Sequence, residues 1–220
     1  MEAADAKLVA SDIAVAAVRA KGVPIRGSRT GHWLSAEQVR SVLKRPDTET
    51  LMGKRDLAML AMLFSAGLRR SELCSITLDM LQLFDARWVV ANLQGKGNRL
   101  RTVPLPLWAK QMIDEWVTAA AITSGPILRR IGKSGRVGPG LSPQTVLDVL
   151  SGYADQCGFV ARPHDCRRTF AALAHKGGAR LEQVQRTLGH ASLTTTEIYL
   201  GLALDLDDAP CDHLPFAPDR

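Results

Sequence analysis

Apolar positions recur at helical spacing along most of the chain and at strand spacing in one region. Residues 8–20 (LVASDIAVAAVRA) predict one short amphipathic helix, and residues 21–33, rich in Gly, Pro and basic side chains, predict a linker. Ser35 and Gln38 have capping-box spacing, Val39, Val42 and Leu43 supply an apolar stripe, and Pro46 ends that helix. Residues 54–66 predict the next helix; Leu57 to Phe64 is apolar on all sides, the pattern of a buried central helix, and Gly67 is placed to end it in the left-handed conformation. Residues 80–104 change character. Leu81 to Phe84, Trp88 to Leu93 and Leu100 to Val103 are short, partly β-branched runs, and predict a three-stranded antiparallel sheet.

Helical spacing then returns. Pro106 opens a helix reaching to about Ala121, with Leu107, Ile113, Trp116 and Val117 as its expected core face. Residues 125–140 (GPILRRIGKSGRVGPG) read as a long basic loop. Ser142 and Pro143 start a helix with Val146, Leu147, Leu150 and Tyr153 facing inward. A further helix follows Arg162-Pro163 and stops at Gly177-Gly178, and a last one uses Leu181, Val184 and Leu188 and stops at Gly189. The expected fold is mainly α with a small three-stranded antiparallel β-sheet. Its organisation is an N-terminal helix and basic linker over 1–33, a main domain over 34–204 and an acidic tail over 205–220.

Composition narrows the classes. The 220 residues are 46% hydrophobic, ordinary globular content, and carry a net charge of +6. The charge is uneven: residues 205–220 hold five Asp and one Arg, so the body is more basic than the total shows. A basic body suits a polyanion such as nucleic acid. The four cysteines, at 74, 157, 166 and 211, have neither metal-ligand spacing nor the look of a disulfide framework. No signal peptide is legible, and the longest apolar run is far below the ~20 residues of a membrane span. These features read as a cytoplasmic protein without a membrane partner.

Candidate chemistry is scattered over five places. Arg69 and Glu72 follow the most hydrophobic helix, three residues apart. Lys96 sits at the tip of a Gly-rich turn, Gln94 to Arg99, where flanking glycines permit close approach to a ligand and where an ordinary exposed lysine also fits. His164 and Arg167 share a helix face. His190 follows Gly189. Tyr199 lies nine residues on, inside a segment that Thr194 and Glu197 could cap as a helix, and is a candidate nucleophile.

Together, AGLRRSEL, GKGNRLRTVPL, HDCRRTFA and LGHASLTTTEIY, in this order, resemble the catalytic domain of the tyrosine recombinases, the phage integrase family, over roughly residues 33–200. His164-x-x-Arg167 alone is weak; followed by His190 after 23 residues and Tyr199 nine later, it is hard to obtain by chance. The resemblance implies a DNA recombinase that needs neither metal nor cofactor. Tyr199 would attack a DNA phosphorus to give a 3′-phosphotyrosyl link, with no need of ATP for rejoining. Arg69 and Arg167 would clamp the non-bridging oxygens with forked, charge-assisted hydrogen bonds, joined by His190. His164 would be the base, Lys96 the acid for the leaving 5′-oxygen, and Glu72 would hold Arg69. Arg129, Arg130, Lys133, Arg136 and Arg168 are expected phosphate contacts.

The resemblance also implies double-stranded DNA as partner and self-association in a synaptic tetramer. The family carries a helical domain ahead of the catalytic one, and residues 1–33 read as its possible remnant. The rival expectation is a mobile-element fragment that binds DNA without recombining it.

Overall fold

The computed structural model describes residues 33–95, 99–132 and 134–190 together with Thr196. The predicted 8–20 helix, most of the 21–33 linker, Lys96, Lys133, the Thr194–Glu197 cap, Tyr199 and the acidic tail lie outside the described residues. The fold is mostly helical, with a three-stranded antiparallel sheet, as the sequence predicts.

Helix α1 (Ala36–Leu43) has both legs of its capping box: Ser35 Oγ accepts from the Gln38 N–H at 3.2 Å, and Gln38 Oε1 accepts from the Ser35 N–H at 2.8 Å. Helix α2 (Leu51–Ala66) begins three residues earlier than predicted, because Thr50 Oγ1 caps the Gly53 N–H at 2.9 Å. It ends at Gly67, whose φ of 57° is left-handed. Ala58 through Phe64 are all buried, so α2 has neighbours on every side: α1, and then the helices α3 (Arg70–Ser75), α4 (Leu107–Ala119), α5 (Pro143–Gln156) and α6 (Pro163–Lys176). A helix without a polar face can only be stable at such a hub.

Strands β1 (Leu81–Phe84), β2 (Arg87–Gln94) and β3 (Leu100–Pro104) form the sheet in the order β1-β2-β3. The register of β2 on β3 shifts between Val90 and Leu93, and Asn92 there takes a φ of 54°, the mark of a bulge. The last helix, α7 (Leu181–Leu188), packs on β3 and α6.

Two expectations are corrected. Residues 125–140 are not a plain loop: β4 (Arg129–Ile131) and β5 (Val137–Gly140) pair antiparallel across a turn. Leu107 is 64% exposed, because it opens α4 on the outer side of the first turn, whereas Ile113 and Trp116 are fully buried. Trp116 Nε1 donates to the Ile127 carbonyl at 2.9 Å, tying α4 to the segment leading into β4.

A buried polar cluster joins α2 to α5. Asp56 accepts from Arg55 at 2.5 Å and from the Tyr153 hydroxyl at 3.0 Å. Burial, followed by the neighbouring Asp56 charge, pushes the Tyr153 phenol up to about 12.

Candidate active site

The site is built on helix ends. Pro163 occupies the first turn of α6, and the Arg162 N–H donates to Asp165 Oδ2 at 3.0 Å, which fixes where the helix starts. That start places His164 and Arg167 one turn apart on one face. Arg167 is 2% exposed. Its Nη1 donates to the Gly67 carbonyl at 2.7 Å, and its Nη2 donates to the Leu188 carbonyl. Gly67 ends α2 and Leu188 is the last residue of α7, each helix closing with a left-handed glycine, Gly67 or Gly189. Two helix C-termini, the negative ends of their dipoles, therefore converge on one guanidinium. Gly67 is required here by conformation and by space: a Cβ at this position would lie 2.6 Å from Phe170 Cδ1 and 2.9 Å from Leu188 Cδ2.

Arg69 stands at the N-cap of α3. Its backbone N–H donates to Glu72 Oε2 at 2.9 Å, and its Nη1 donates to Oε1 at 2.5 Å. Glu72 is 5% exposed and has a second arginine, which sequence reasoning did not single out. Arg101 of β3 donates from Nη1 to Oε1 at 3.0 Å and from Nη2 to Oε2 at 2.8 Å, a two-pronged pairing. Its Nε donates to the Thr187 carbonyl at 2.9 Å. Arg101 thus ties α3, β3 and the end of α7 into one unit. Burial alone would raise the Glu72 pKa. The Arg101 hydrogen bonds, the Arg69 backbone N–H and the Arg101 charge outweigh it and hold the carboxyl below its ordinary value. The sequence signal for Arg101 was its place in GKGNRLRTVPL, directly after the Lys96 turn, but its partner lies 29 positions away.

His190 follows the Gly189 turn. Its backbone N–H donates to the Gln185 carbonyl at 3.2 Å, and its ring Nδ1 lies 2.9 Å from the hydroxyl of fully buried Thr196. Burial, then the charges of Arg167, Arg69 and Arg101, push its pKa down to about 4. His164 is lowered too, by desolvation and then by Arg168 and Arg167. Both shifts favour the neutral imidazole. Arg69, His164 and Arg167 line one cleft of about 400 Å³, which Arg70 and Arg162 also line.

Other predicted residues lie apart. Lys96 falls outside the described residues; of the residues flanking it, the Gly95 N–H donates to the Arg99 carbonyl at 2.8 Å. Arg129 folds back onto its own hairpin, donating to the Pro126 carbonyl at 2.9 Å and to the Ser124 carbonyl. Arg130 and Arg136 are exposed on the hairpin, and Arg168 is half-buried beside Arg167. Among the described residues, no three His, Cys, Asp or Glu side chains are grouped to hold a metal ion, and no helix is long and apolar enough to cross a membrane.

The mostly helical fold with its three-stranded antiparallel sheet is the catalytic-domain fold of the tyrosine recombinases. The XerH site-specific recombinase, solved bound to palindromic difH substrate as a post-cleavage complex, shares it with a TM-score of 0.64 at 20% identity, over 77% of this chain and 49% of that one. The sequence matches the model of the Phage integrase family over residues 32–204, and the chain belongs to that family. It is 32% identical to tyrosine recombinase XerC of Myxococcus xanthus over 76% of this chain and 56% of that protein. It is 36% identical to tyrosine recombinase XerC of Xylella fastidiosa (strain M23), over 77% and 55% respectively. The chain spans about half the length of the curated relatives it matches.

Proposed function

We propose that this chain carries the catalytic centre of a site-specific DNA recombinase that cuts and rejoins strands through a 3′-phosphotyrosyl intermediate. The observation that carries the reading is the convergence of Arg69, His164 and Arg167 on one cleft, with each arginine fixed from behind by hydrogen bonds. Fixed donors need no reorganisation when charge develops on phosphate oxygens, and this is where such groups lower a barrier most. The membership in the Phage integrase family supports the same reading.

In the reaction, the Tyr199 hydroxyl attacks phosphorus and its proton passes to neutral His164. The bond from phosphorus to the 5′-oxygen breaks, and Lys96 protonates that oxygen. Arg69, Arg167 and His190 hold the non-bridging oxygens throughout. The second tyrosine of the chain, Tyr153, is unsuited to the nucleophile's role. Its hydroxyl is committed to Asp56, its pKa is pushed up to about 12, and it lines a different depression, with Asp148 and Gln156.

Double-stranded DNA is the partner, with Arg130, Arg136, Arg168 and Lys133 toward its phosphates, and synapsis requires self-association on DNA. The XerH complex with its substrate is the precedent in this fold. The alternative, a fragment that binds DNA without cutting it, has less support, because the chain matches the Phage integrase family over residues 32–204 and resembles recombinases XerC of Myxococcus xanthus and XerH.

The test is covalent trapping on nicked suicide duplexes that carry inverted repeats around a randomised core, in chelator, read on a denaturing gel. An adduct that Tyr199→Phe abolishes and Tyr153→Phe retains is expected. An adduct that survives Tyr199→Phe would refute the assignment of the nucleophile. Salt-sensitive binding with no adduct on any core would favour the binding fragment.

A further inference from the structure

We propose that Thr196 is a positioning residue that sets the tautomer of His190, its hydroxyl donating to Nδ1 so that the ring proton sits on Nε2. The assignment rests on the phosphoryl-transfer reading above. Its geometric basis is the 2.9 Å approach of Thr196 Oγ1 to His190 Nδ1, together with the complete burial of Thr196. A buried hydroxyl with no access to water holds a single orientation and keeps its partner in place. The backbone of His190 is pinned separately: its N–H donates to the Gln185 carbonyl, and its carbonyl accepts from Gln185 Nε2 at 3.2 Å. The rotation of the ring and the nitrogen that bears the proton are separate from this backbone anchoring, and the Thr196 contact at Nδ1 acts on both.

The choice of tautomer has a chemical consequence. A neutral imidazole has one N–H and one lone pair. Burial, then the surrounding cations, favours the neutral form of His190. If Nδ1 held the proton, the ring would spend its only N–H on Thr196 and turn a lone pair toward the phosphate oxygens, which would repel it. With Thr196 as donor, Nδ1 accepts and the ring proton sits on Nε2, the nitrogen that can then donate to an oxyanion. Donation to Nδ1 needs a hydroxyl at this position, so Thr or Ser should serve and an apolar isostere should fail. The relation is that of any histidine whose working nitrogen is set by the hydrogen bond at the other.

The experiment reads tautomer and catalysis separately. Imidazole ¹⁵N–¹H correlation spectra of the full chain, free and with the nicked duplex, are compared for wild type, Thr196→Ser and Thr196→Val, with His190→Gln used for assignment. Single-turnover cleavage and DNA affinity are measured on the same proteins. Wild type and Thr196→Ser are expected to show an unprotonated Nδ1 and a protonated Nε2. Thr196→Val is expected to show averaged nitrogens and cleavage slower by roughly 10- to 100-fold, with affinity within about twofold and the His164 and His175 signals unmoved. A proton on Nδ1 of the wild-type complex would overturn the proposal. So would a Thr196→Val protein that keeps both tautomer and rate. If no duplex is cleaved while the free protein shows the Nε2–H form, the recombinase reading fails and the Thr196 assignment stands.

Discussion

The Arg69–Glu72–Arg101 network predicts that one carboxylate serves two arginines for different ends, and a pair of double-mutant cycles can separate them. Side-chain exposure is 4% for Glu72 and 10% for Arg101, but 34% for Arg69. Unit charges about 4 Å apart attract by about 4 kcal/mol at an effective dielectric of 20. Removing one partner of a buried pair costs about 3–5 kcal/mol, because the other charge is stranded. The two-pronged Arg101–Glu72 pair belongs in that range, and we expect a coupling energy of about 3 kcal/mol. The Arg69–Glu72 contact is open to solvent on one side. Screening and side-chain entropy reduce such pairs to about 1 kcal/mol or less.

The assay is urea unfolding of Glu72→Gln, Arg101→Ala, Arg69→Ala and both double variants. With a slope of about 2 kcal/mol per molar urea, losing the Arg101 coupling shifts the midpoint by about 1.5 M, while losing the Arg69 coupling shifts it by less than about 0.5 M. The hydrogen bond from Arg101 to the Thr187 carbonyl is lost in both arms of its cycle and cancels. DNA cleavage should show the reverse ranking: Arg69→Ala abolishes it, although the variant is nearly as stable as wild type. Equal couplings in the two cycles would refute the division of labour. Because the folded Glu72 pKa is depressed, its contribution is complete above the unfolded carboxylate value. It is lost as pH falls through the lower folded value, and Glu72→Gln should flatten that acid limb.

Three further outcomes follow from the geometry. Gly67→Ala should destabilise by about 2–4 kcal/mol, from the left-handed backbone and the close approach to Phe170; a change below about 1 kcal/mol in urea unfolding would show that the turn is not constrained. His190, with a folded value of about 4 against an ordinary 6.5, leaves the unfolded chain holding more protons between those pH values, so its share of stability is complete above about 6.5 and declines as pH falls toward 4. Its ring Cε1–H resonance should stay flat from about pH 8 to 5.5, and a midpoint near 6.5 would contradict the buried cationic setting. Arg130→Ala should reduce the slope of log affinity for DNA against log salt by about 1 if it meets a phosphate, whereas Arg129→Ala should lower stability and leave that slope alone; equal slope changes would refute the fold-back of Arg129.

What was legible in the chain follows the range of the interactions. Caps act within three residues, so Ser35 with Gln38, Ser142 with Pro143 and the stop at Gly67 could be read directly, and the helices stand close to where they were expected. The all-round apolar run at Leu57 to Phe64 announced the hub because no surface helix tolerates it. The β4–β5 hairpin was hidden by its composition. Val137-Gly138-Pro139-Gly140 has poor strand propensity, and its pairing with β4 is short, with a shift between Arg129 and Ile131. Leu107 misled because helical spacing does not say that a first turn projects beyond the core. Arg101 escaped notice for a different reason: a strand arginine carries no local mark of its function, and its carboxylate and carbonyl partners belong to helices 29 and 86 positions away.

Two arginines of the cleft, Arg69 and Arg167, are held by different chemistry, and the difference bears on what each can offer an anion. Arg69 leans on a carboxylate, but Glu72 divides its charge with Arg101, so Arg69 is oriented without being fully neutralised. Arg167 leans on the carbonyls of Gly67 and Leu188. A carbonyl at a helix C-terminus supplies the partial negative charge needed to bury a guanidinium, and only a fraction of the charge that would cancel it. A carboxylate in either carbonyl's place would hold Arg167 as firmly and would also compete with an incoming phosphate. Using helix ends separates holding the cation from neutralising it. The same choice contributes to the state of the neighbouring histidines: desolvation lowers both, and the charge that Arg167 retains lowers them further, with Arg168 at His164 and with Arg69 and Arg101 at His190. The convergence of α2 and α7 on the guanidinium of Arg167 therefore fixes a cation in the cleft and adds to the burial that favours neutral imidazoles beside it, the charge states that the proposed base and the proposed hydrogen-bond donor to phosphate require.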